Sequence, residues 1–175
     1  MAKNQGACSK YDLSSVQSIF TGAAPLGAET AEELHRIYPM WLIRQGYGLT
    51  ETSTVVCSSP ESDIWFGSSG SLISGIKAKI LTPEGEEITE YNKAGELVVQ
   101  SLSVVLGYLN NDKANAETFI DDTDGNGRWM RTGDEAVIRV APSGHEHVFI
   151  VDRIKEIIKV KVCHNIKLIE TILMA

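Results

Sequence analysis

The spacing of apolar residues changes twice along this chain. Val16, Ile19 and Phe20 form a short apolar run that stops at Thr21-Gly22-Ala23-Ala24-Pro25, the pattern of a buried strand ending in a loop. Over residues 27–38 the period becomes helical. Ala28, Ala31, Leu34 and Tyr38 recur at three- and four-residue steps, while Glu29, Glu32, Glu33 and Arg36 fall on other faces. Thr30 and Glu33 have the spacing of a capping box, with a start one turn earlier as the alternative, and Pro39 stops the helix. Residues 41–43 start another apolar run, which Gly46-Tyr47-Gly48 is expected to break. Strand, helix, strand in this order predicts part of a parallel α/β sheet.

After Pro60 the helical period gives way to short β-rich segments at residues 76–81, 96–100, 136–140 and 147–151, with one helix predicted at 112–119. Thr82-Pro83-Glu84-Gly85 reads as a turn between strands, and Gly70 and Gly75 also read as turn residues. Regular short strands separated by turns predict a small barrel or sandwich. The fold class expected is therefore α/β, a partial parallel subdomain followed by a barrel-like β subdomain, with the change near residues 60–67.

Composition narrows the function. Apolar residues make up 43% of the 175, enough for a sizeable core, and the net charge of −7 comes with no basic stripe. Nucleic-acid binding is disfavoured. Three widely spaced cysteines, Cys8, Cys57 and Cys163, suggest neither a disulfide framework nor a zinc site. No apolar run approaches the length of a membrane span, and no secretory leader or peroxisomal tripeptide is legible, so the expected compartment is the cytoplasm, with the peroxisome as the alternative for full-length relatives.

Several residues carry candidate chemistry. Gly46 and Gly48 flank Tyr47, so backbone there can approach a ligand closely and the tyrosine ring can lie on a flat base. The segment fails as a dinucleotide fingerprint, because Glu51 stands where a third glycine is needed. Thr50 offers a hydroxyl and Glu51 a carboxylate at an expected helix start; the plain alternative is a glycine turn followed by an N-cap threonine. Asp134 follows an expected tight turn at Thr132-Gly133, and its carboxylate can accept two vicinal hydroxyls. Asp122-Thr123-Asp124-Gly125-Asn126-Gly127 imitates a calcium loop, but position 12 is Gly133 where a glutamate is required. His145 and His147 lack a third ligand nearby in sequence, and no G-x-S-x-G elbow supports a serine hydrolase.

Four segments in one order carry a resemblance. They are Thr21-Gly22-Ala23-Ala24-Pro25-Leu26; Gln45-Gly46-Tyr47-Gly48-Leu49-Thr50-Glu51-Thr52; Gly95-Glu96-Leu97 through Gly107-Tyr108-Leu109-Asn110 to Arg131-Thr132-Gly133-Asp134; and Phe149-Ile150-Val151-Asp152-Arg153-Ile154-Lys155-Glu156-Ile157-Ile158-Lys159. Together they resemble the adenylate-forming superfamily, and within it the 4-coumarate:CoA ligase and luciferase branch. The resemblance implies an acyl- or aryl-CoA ligase that activates a small carboxylic acid with ATP and Mg²⁺ and passes the acyl-AMP to CoA.

By that resemblance Gly22, Ala23, Ala24 and Pro25 line the adenine site with Gly46, Tyr47 and Gly48. Thr50 contacts the α-phosphate, Glu51 helps hold Mg²⁺, and Asp134 and Arg153 take the ribose. Lys155 matches the hinge between domains and Lys159 a lysine used in thioester formation; a plain solvated face is the alternative for both. The division expected is residues 1–66 as a partial nucleotide-binding α/β subdomain, 67–152 as the β-rich subdomain, and 153–175 as hinge and remnant of a small C-terminal domain. Two expected parts are not legible. A Ser/Thr/Gly-rich phosphate loop has no counterpart in residues 1–11, and Val162 stands where a glycine should follow Lys161. The expectation is a piece truncated at both ends with little turnover of its own. It would self-associate through exposed apolar edges such as that of residues 16–20. A non-catalytic module binding AMP, an acyl-adenylate or a partner is the alternative.

Overall fold

The computed structural model describes residues 5–121 and 127–154. Lys155, Lys159 and the C-terminal remnant lie outside the described residues, as do Asp122 to Asn126 of the calcium-like segment.

After a one-turn helix α1 (Gln5–Cys8), the chain enters β1 (Ser18–Thr21), α2 (Ala28–Ile37) and β2 (Leu42–Leu49). β1 and β2 pair in parallel, Ser18 opposite Leu42 through Thr21 opposite Gln45. This is the expected strand–helix–strand unit. The apolar stripe of α2 buries Ala31 and Leu34 against Ile43 of β2, with Ile19, Leu26, Tyr38 and Phe66 around them. The earlier of the two expected starts is the one observed. Gly27 is the N-cap and no side chain caps the helix, so Thr30 sits inside the first turn. Tyr38 stacks on Trp41 with ring centroids 3.9 Å apart, closing the helix against the next strand.

β2 also corrects an expectation. The strand runs through Gly46, Tyr47 and Gly48 without turning, because β3 (Thr54–Ser58) pairs antiparallel along it. A 3₁₀ turn (Thr50–Thr52) joins the two strands, and β4 (Ser71–Leu72) completes the sheet in the order β1-β2-β3-β4. β1 is its edge, and Phe20 on that edge is 55% exposed.

The second sheet holds β5 (Lys77–Leu81), β6 (Glu87–Ile88), β7 (Gly95–Ser101), β8 (Phe119–Ile120), β9 (Arg128–Val140) and β10 (Glu146–Arg153). Its order is β10-β9-β7-β5-β6, with β8 beside β9, and all its pairings are antiparallel. The turn expected at residues 82–85 joins β5 to β6, with Gly85 N–H donating to Thr82 O at 2.9 Å. Helix α3 (Asp112–Thr118) starts where Asn111 accepts from Ala114 N–H at 3.2 Å. Against this sheet lies a second, larger cluster: Leu97, Val99, Met130, Ala136, Phe119 and Val148 pack with Val56 and Cys57 of β3. The first sheet thus shares β3, one of its two inner strands, with the core of the second.

The junction between the sheets is tied by polar groups. Ser69 N–H donates to Val148 O at 2.8 Å and Val148 N–H to Gly70 O at 2.9 Å, so this short segment pairs with β10. Gly70 has φ +89°, and a Cβ there would lie 2.1 Å from the Ser58 carbonyl carbon, so only glycine fits. Ser68 meets the fully buried His147 (Oγ to Nδ1, 3.0 Å). Its Nε2 stands 3.2 Å from Asp63 Oδ2, off the line of a good hydrogen bond. Asp63 also accepts from Ser143 Oγ at 2.5 Å and meets His145 Nδ1 at 3.0 Å. These donors, Ser143 first, hold the Asp63 carboxyl down to about 2 from its ordinary 3.8. A carboxyl depressed in the folded state stabilises above its unfolded value and loses that contribution as pH falls through the folded one. Unfolding of the parent and of Asp63→Asn is therefore expected to differ fully above about pH 4 and to converge as pH drops toward about 2. Urea titrations at stepped pH measure this, and a pH-independent gap would remove the carboxylate from the account.

Candidate active site

Three strand irregularities converge on one cleft. In β9 the residues 132–134 face the single residue Leu97 of β7, since Arg131 pairs with Val98 and Glu135 with Glu96. The expected tight turn at Thr132-Gly133 is therefore a bulge inside a long strand. Gly133 takes φ +71°, a value open to glycine at no steric cost. Thr132 Oγ1 donates to Leu97 O at 2.8 Å and accepts from Asp134 N–H at 3.1 Å, filling the bonds the bulge breaks. Arg131 and Glu96, 2.6 Å apart, brace its base. On β10 Val151 is the extra residue, and on β3 it is Val56, opposite the step from Tyr47 to Gly48.

The bulges bring together residues from both sheets. Tyr47 Oη donates to Asp134 Oδ2 at 2.6 Å, and Arg153 Nε donates to Asp134 Oδ1 at 3.2 Å. Asp134 is buried at 6% exposure, so the carboxylate enters this pair of charge-assisted bonds with little water. Burial, then the bond to Asp134, pushes the Tyr47 phenol well above its ordinary value, which keeps it a neutral donor. A carboxylate offers about four acceptor positions. Two are used here, which leaves acceptor capacity for a ligand.

Around this carboxylate lies a cleft of about 370 Å³, within the range of small-molecule sites. It is lined by Ala23, Ala24 and Pro25 after β1, by residues 45–49 of β2, by Ser69, by Asp134, and by residues 150–153 of β10. It therefore opens beyond the carboxyl end of β1, where open α/β sheets hold ligands. Ala23 sits at φ +66°, a strained value for a side-chain-bearing residue and of the kind that gathers at binding loops. Gln45 orders that loop by accepting from Leu26 N–H at 2.7 Å.

Of the residues singled out from the sequence, Ala23, Ala24, Pro25, Gly46, Tyr47, Gly48, Asp134 and Arg153 meet in the cleft. Gly22, Thr50 and Glu51 do not line it. Thr50 is exposed where the chain leaves Leu49, and Glu51 turns toward the loop after β7, where Tyr108 Oη donates to its Oε1 at 2.7 Å. Gln45 and Ser69 are lining residues to which the sequence reading gave no role. Their signal is tertiary, since Ser69 arrives only through its pairing with β10. Cys57 is no candidate nucleophile: burial pushes its thiol up to about 12. Among the described residues no group of three His, Cys, Asp or Glu side chains could hold a metal by itself.

Residues 1–109 match the family described as AMP-binding enzyme. The chain belongs to this AMP-binding enzyme family. Its relatives include the Acyl-CoA ligase AKT1 of Alternaria alternata, 47% identical over 156 residues that make up 89% of this chain and 27% of that protein. The 4-coumarate--CoA ligase-like 2 of Arabidopsis thaliana is 40% identical over 86% of this chain and 26% of its own length. Among solved structures, the anthranilate CoA ligase AuaEII in complex with anthranoyl-AMP superposes with a TM-score of 0.71 at 26% identity, covering 83% of this chain and 26% of that one. The long-chain-fatty-acid-CoA ligase FadD1 from Archaeoglobus fulgidus gives 0.67 at 25% identity, covering 82% and 29%. The chain thus spans about a quarter of the length of the relatives it matches. The expected fold class stands: a parallel α/β unit followed by a curled antiparallel sheet, as in these AMP-binding enzymes.

Because the Tyr47–Asp134 bond links the two sheets beside an open cleft, Tyr47→Phe is expected to lower unfolding free energy by about 1–2 kcal/mol, toward the lower end for a bond to a charged group. Chemical denaturation checks it; no loss would mean that cleft water replaces the phenol without cost.

Proposed function

We propose that this chain forms the adenosine-binding portion of an ATP-dependent acyl- or aryl-CoA ligase. In the reaction proposed for the whole enzyme, a carboxylic acid attacks the α-phosphate of ATP, giving acyl-AMP and pyrophosphate, and the thiol of CoA then displaces AMP. The observation that carries the reading is the Asp134 carboxylate, buried, oriented by Tyr47 and Arg153 and facing a cleft of nucleoside size.

The roles follow from that arrangement. Asp134 accepts the ribose hydroxyls with the acceptor positions that Tyr47 and Arg153 leave open. The Tyr47 ring and the backbone of Ala23, Ala24 and Pro25 enclose the adenine, with Gly46 and Gly48 allowing close approach and Gly22 setting the start of the loop. Arg153 closes the ribose side. Thr50, exposed just past the cleft, offers its hydroxyl to the α-phosphate.

Glu51 fits as a single hard-oxygen ligand for Mg²⁺. One of its oxygens takes the Tyr108 phenol and the other has no partner among the described residues, and Mg²⁺ in nucleotide sites takes one or two carboxylates plus phosphate oxygens. Bound there, Mg²⁺ would offset phosphate charge.

Isothermal titration of the 175-residue chain with AMP tests the reading. AMP is expected to bind, and Asp134→Ala to weaken it by about 1–3 kcal/mol, the cost of losing hydrogen bonds to a charged group. Equal affinity in the two chains would defeat the ribose assignment.

A further inference from the structure

The 3₁₀ turn that carries Thr50 and Glu51 is held by a loop far along the chain. Val105 N–H donates to Glu51 O at 2.9 Å, and Ser103 Oγ donates to Thr52 O at 3.0 Å. Ser53 Oγ donates back to Ser103 O at 2.8 Å. These bonds fix the backbone of the turn. The side chain of Glu51 receives separate treatment: Tyr108 Oη donates to its Oε1 at 2.7 Å.

Tyr108 is itself held at three places. Its N–H donates to Asn115 Oδ1 at 2.6 Å, and Asn115 Nδ2 donates to its carbonyl at 3.0 Å, so one amide on α3 grips both backbone groups. Its ring packs against Phe119, centroids 5.5 Å apart. Asn111 caps the helix that carries Asn115. The phenol therefore comes to Glu51 from a rigid base.

Here one oxygen is fixed, the other has no partner among the described residues, and Glu51 is only half-buried. A carboxylate with one oxygen fixed and one presented is oriented for an outside ligand, since a free glutamate spreads over many rotamers. We propose that Tyr108 is a positioning residue that aims Glu51 at the metal-bound phosphates of the nucleotide. This rests on the reading of Glu51 given above. Partners of this kind commonly change metal affinity about 10–100-fold when removed.

The test compares ATP affinity of the 175-residue chain with Mg²⁺ and with EDTA, beside metal-free AMP affinity, in the parent, Glu51→Ala and Tyr108→Phe. The gain in ATP affinity due to Mg²⁺ is expected to fall about tenfold in both variants, while Tyr108→Phe binds AMP as the parent does. If Glu51→Ala keeps the full gain, the reading of Glu51 fails and takes the role of Tyr108 with it. If Glu51→Ala loses the gain and Tyr108→Phe keeps it, Glu51 stands and Tyr108 is excluded. Equal weakening of AMP and Mg-ATP in Tyr108→Phe would reduce it to a structural tie and overturn the proposal. Should Tyr108→Phe not fold, Asn115→Ala decides. It leaves the phenol but frees its backbone, and retention of the full Mg²⁺ gain there would overturn the proposal.

Discussion

One buried carboxylate organises this molecule. Asp134 lies on β9, the longest strand of the second sheet; Tyr47 reaches it from the first sheet and Arg153 from the end of β10. A buried charge is costly unless it is paired and hydrogen-bonded. That requirement obliges both sheets and the last described strand to converge at one point. The cleft is the space left between them.

Convergence needs strands that depart from regular pairing. A regular β9 would pair residue 134 with β7 as well as with Arg153 of β10, and would turn its side chain by the strict alternation of a pleated sheet. The bulge at residues 132–134 frees it from that alternation, and the extra residue Val151 on β10 adjusts Arg153 to match. The third irregularity, at Tyr47 and Gly48, sits on the other sheet and faces the same cleft. Bulges re-aim side chains and are common beside active sites. Here each of the three charged or phenolic groups owes its position to one.

Much of this was legible in the sequence and some was not, for physical reasons. The period of Ala28, Ala31, Leu34 and Tyr38 located α2 to within a residue, because an amphipathic helix writes its buried face into every turn. Its start is open to two readings in the sequence, because Gly27 begins the helix without a side-chain signal and Thr30-Glu33 imitates one. Gly46-Tyr47-Gly48 looked like a break and Thr132-Gly133 like a turn. Glycine marks both turns and bulges, and only the partner strand decides between them. Tyr47, Asp134 and Arg153 were identified by resemblance, and the structure brings them together. The contacts of Tyr108 with Glu51 and of Ser69 with Val148 span more than fifty residues and leave no local pattern.

The bridge from Tyr47 to Asp134 makes the cleft a thermodynamic joint between two sheets. A ligand seated on Asp134 would bind only chains in which the two sheets are joined as described, so occupancy would add RT ln(1 + [L]/Kd) to the free energy of unfolding. The same linkage runs backwards. A substitution at the junction, for instance near Ser68 or Gly70, would dilute the docked population and weaken apparent affinity by that fraction without touching the ligand. Affinity for a ligand at this cleft would thus report on packing at a distance, and a change in it would be evidence about contact with the ligand only once the cohesion of the two sheets had been measured alongside.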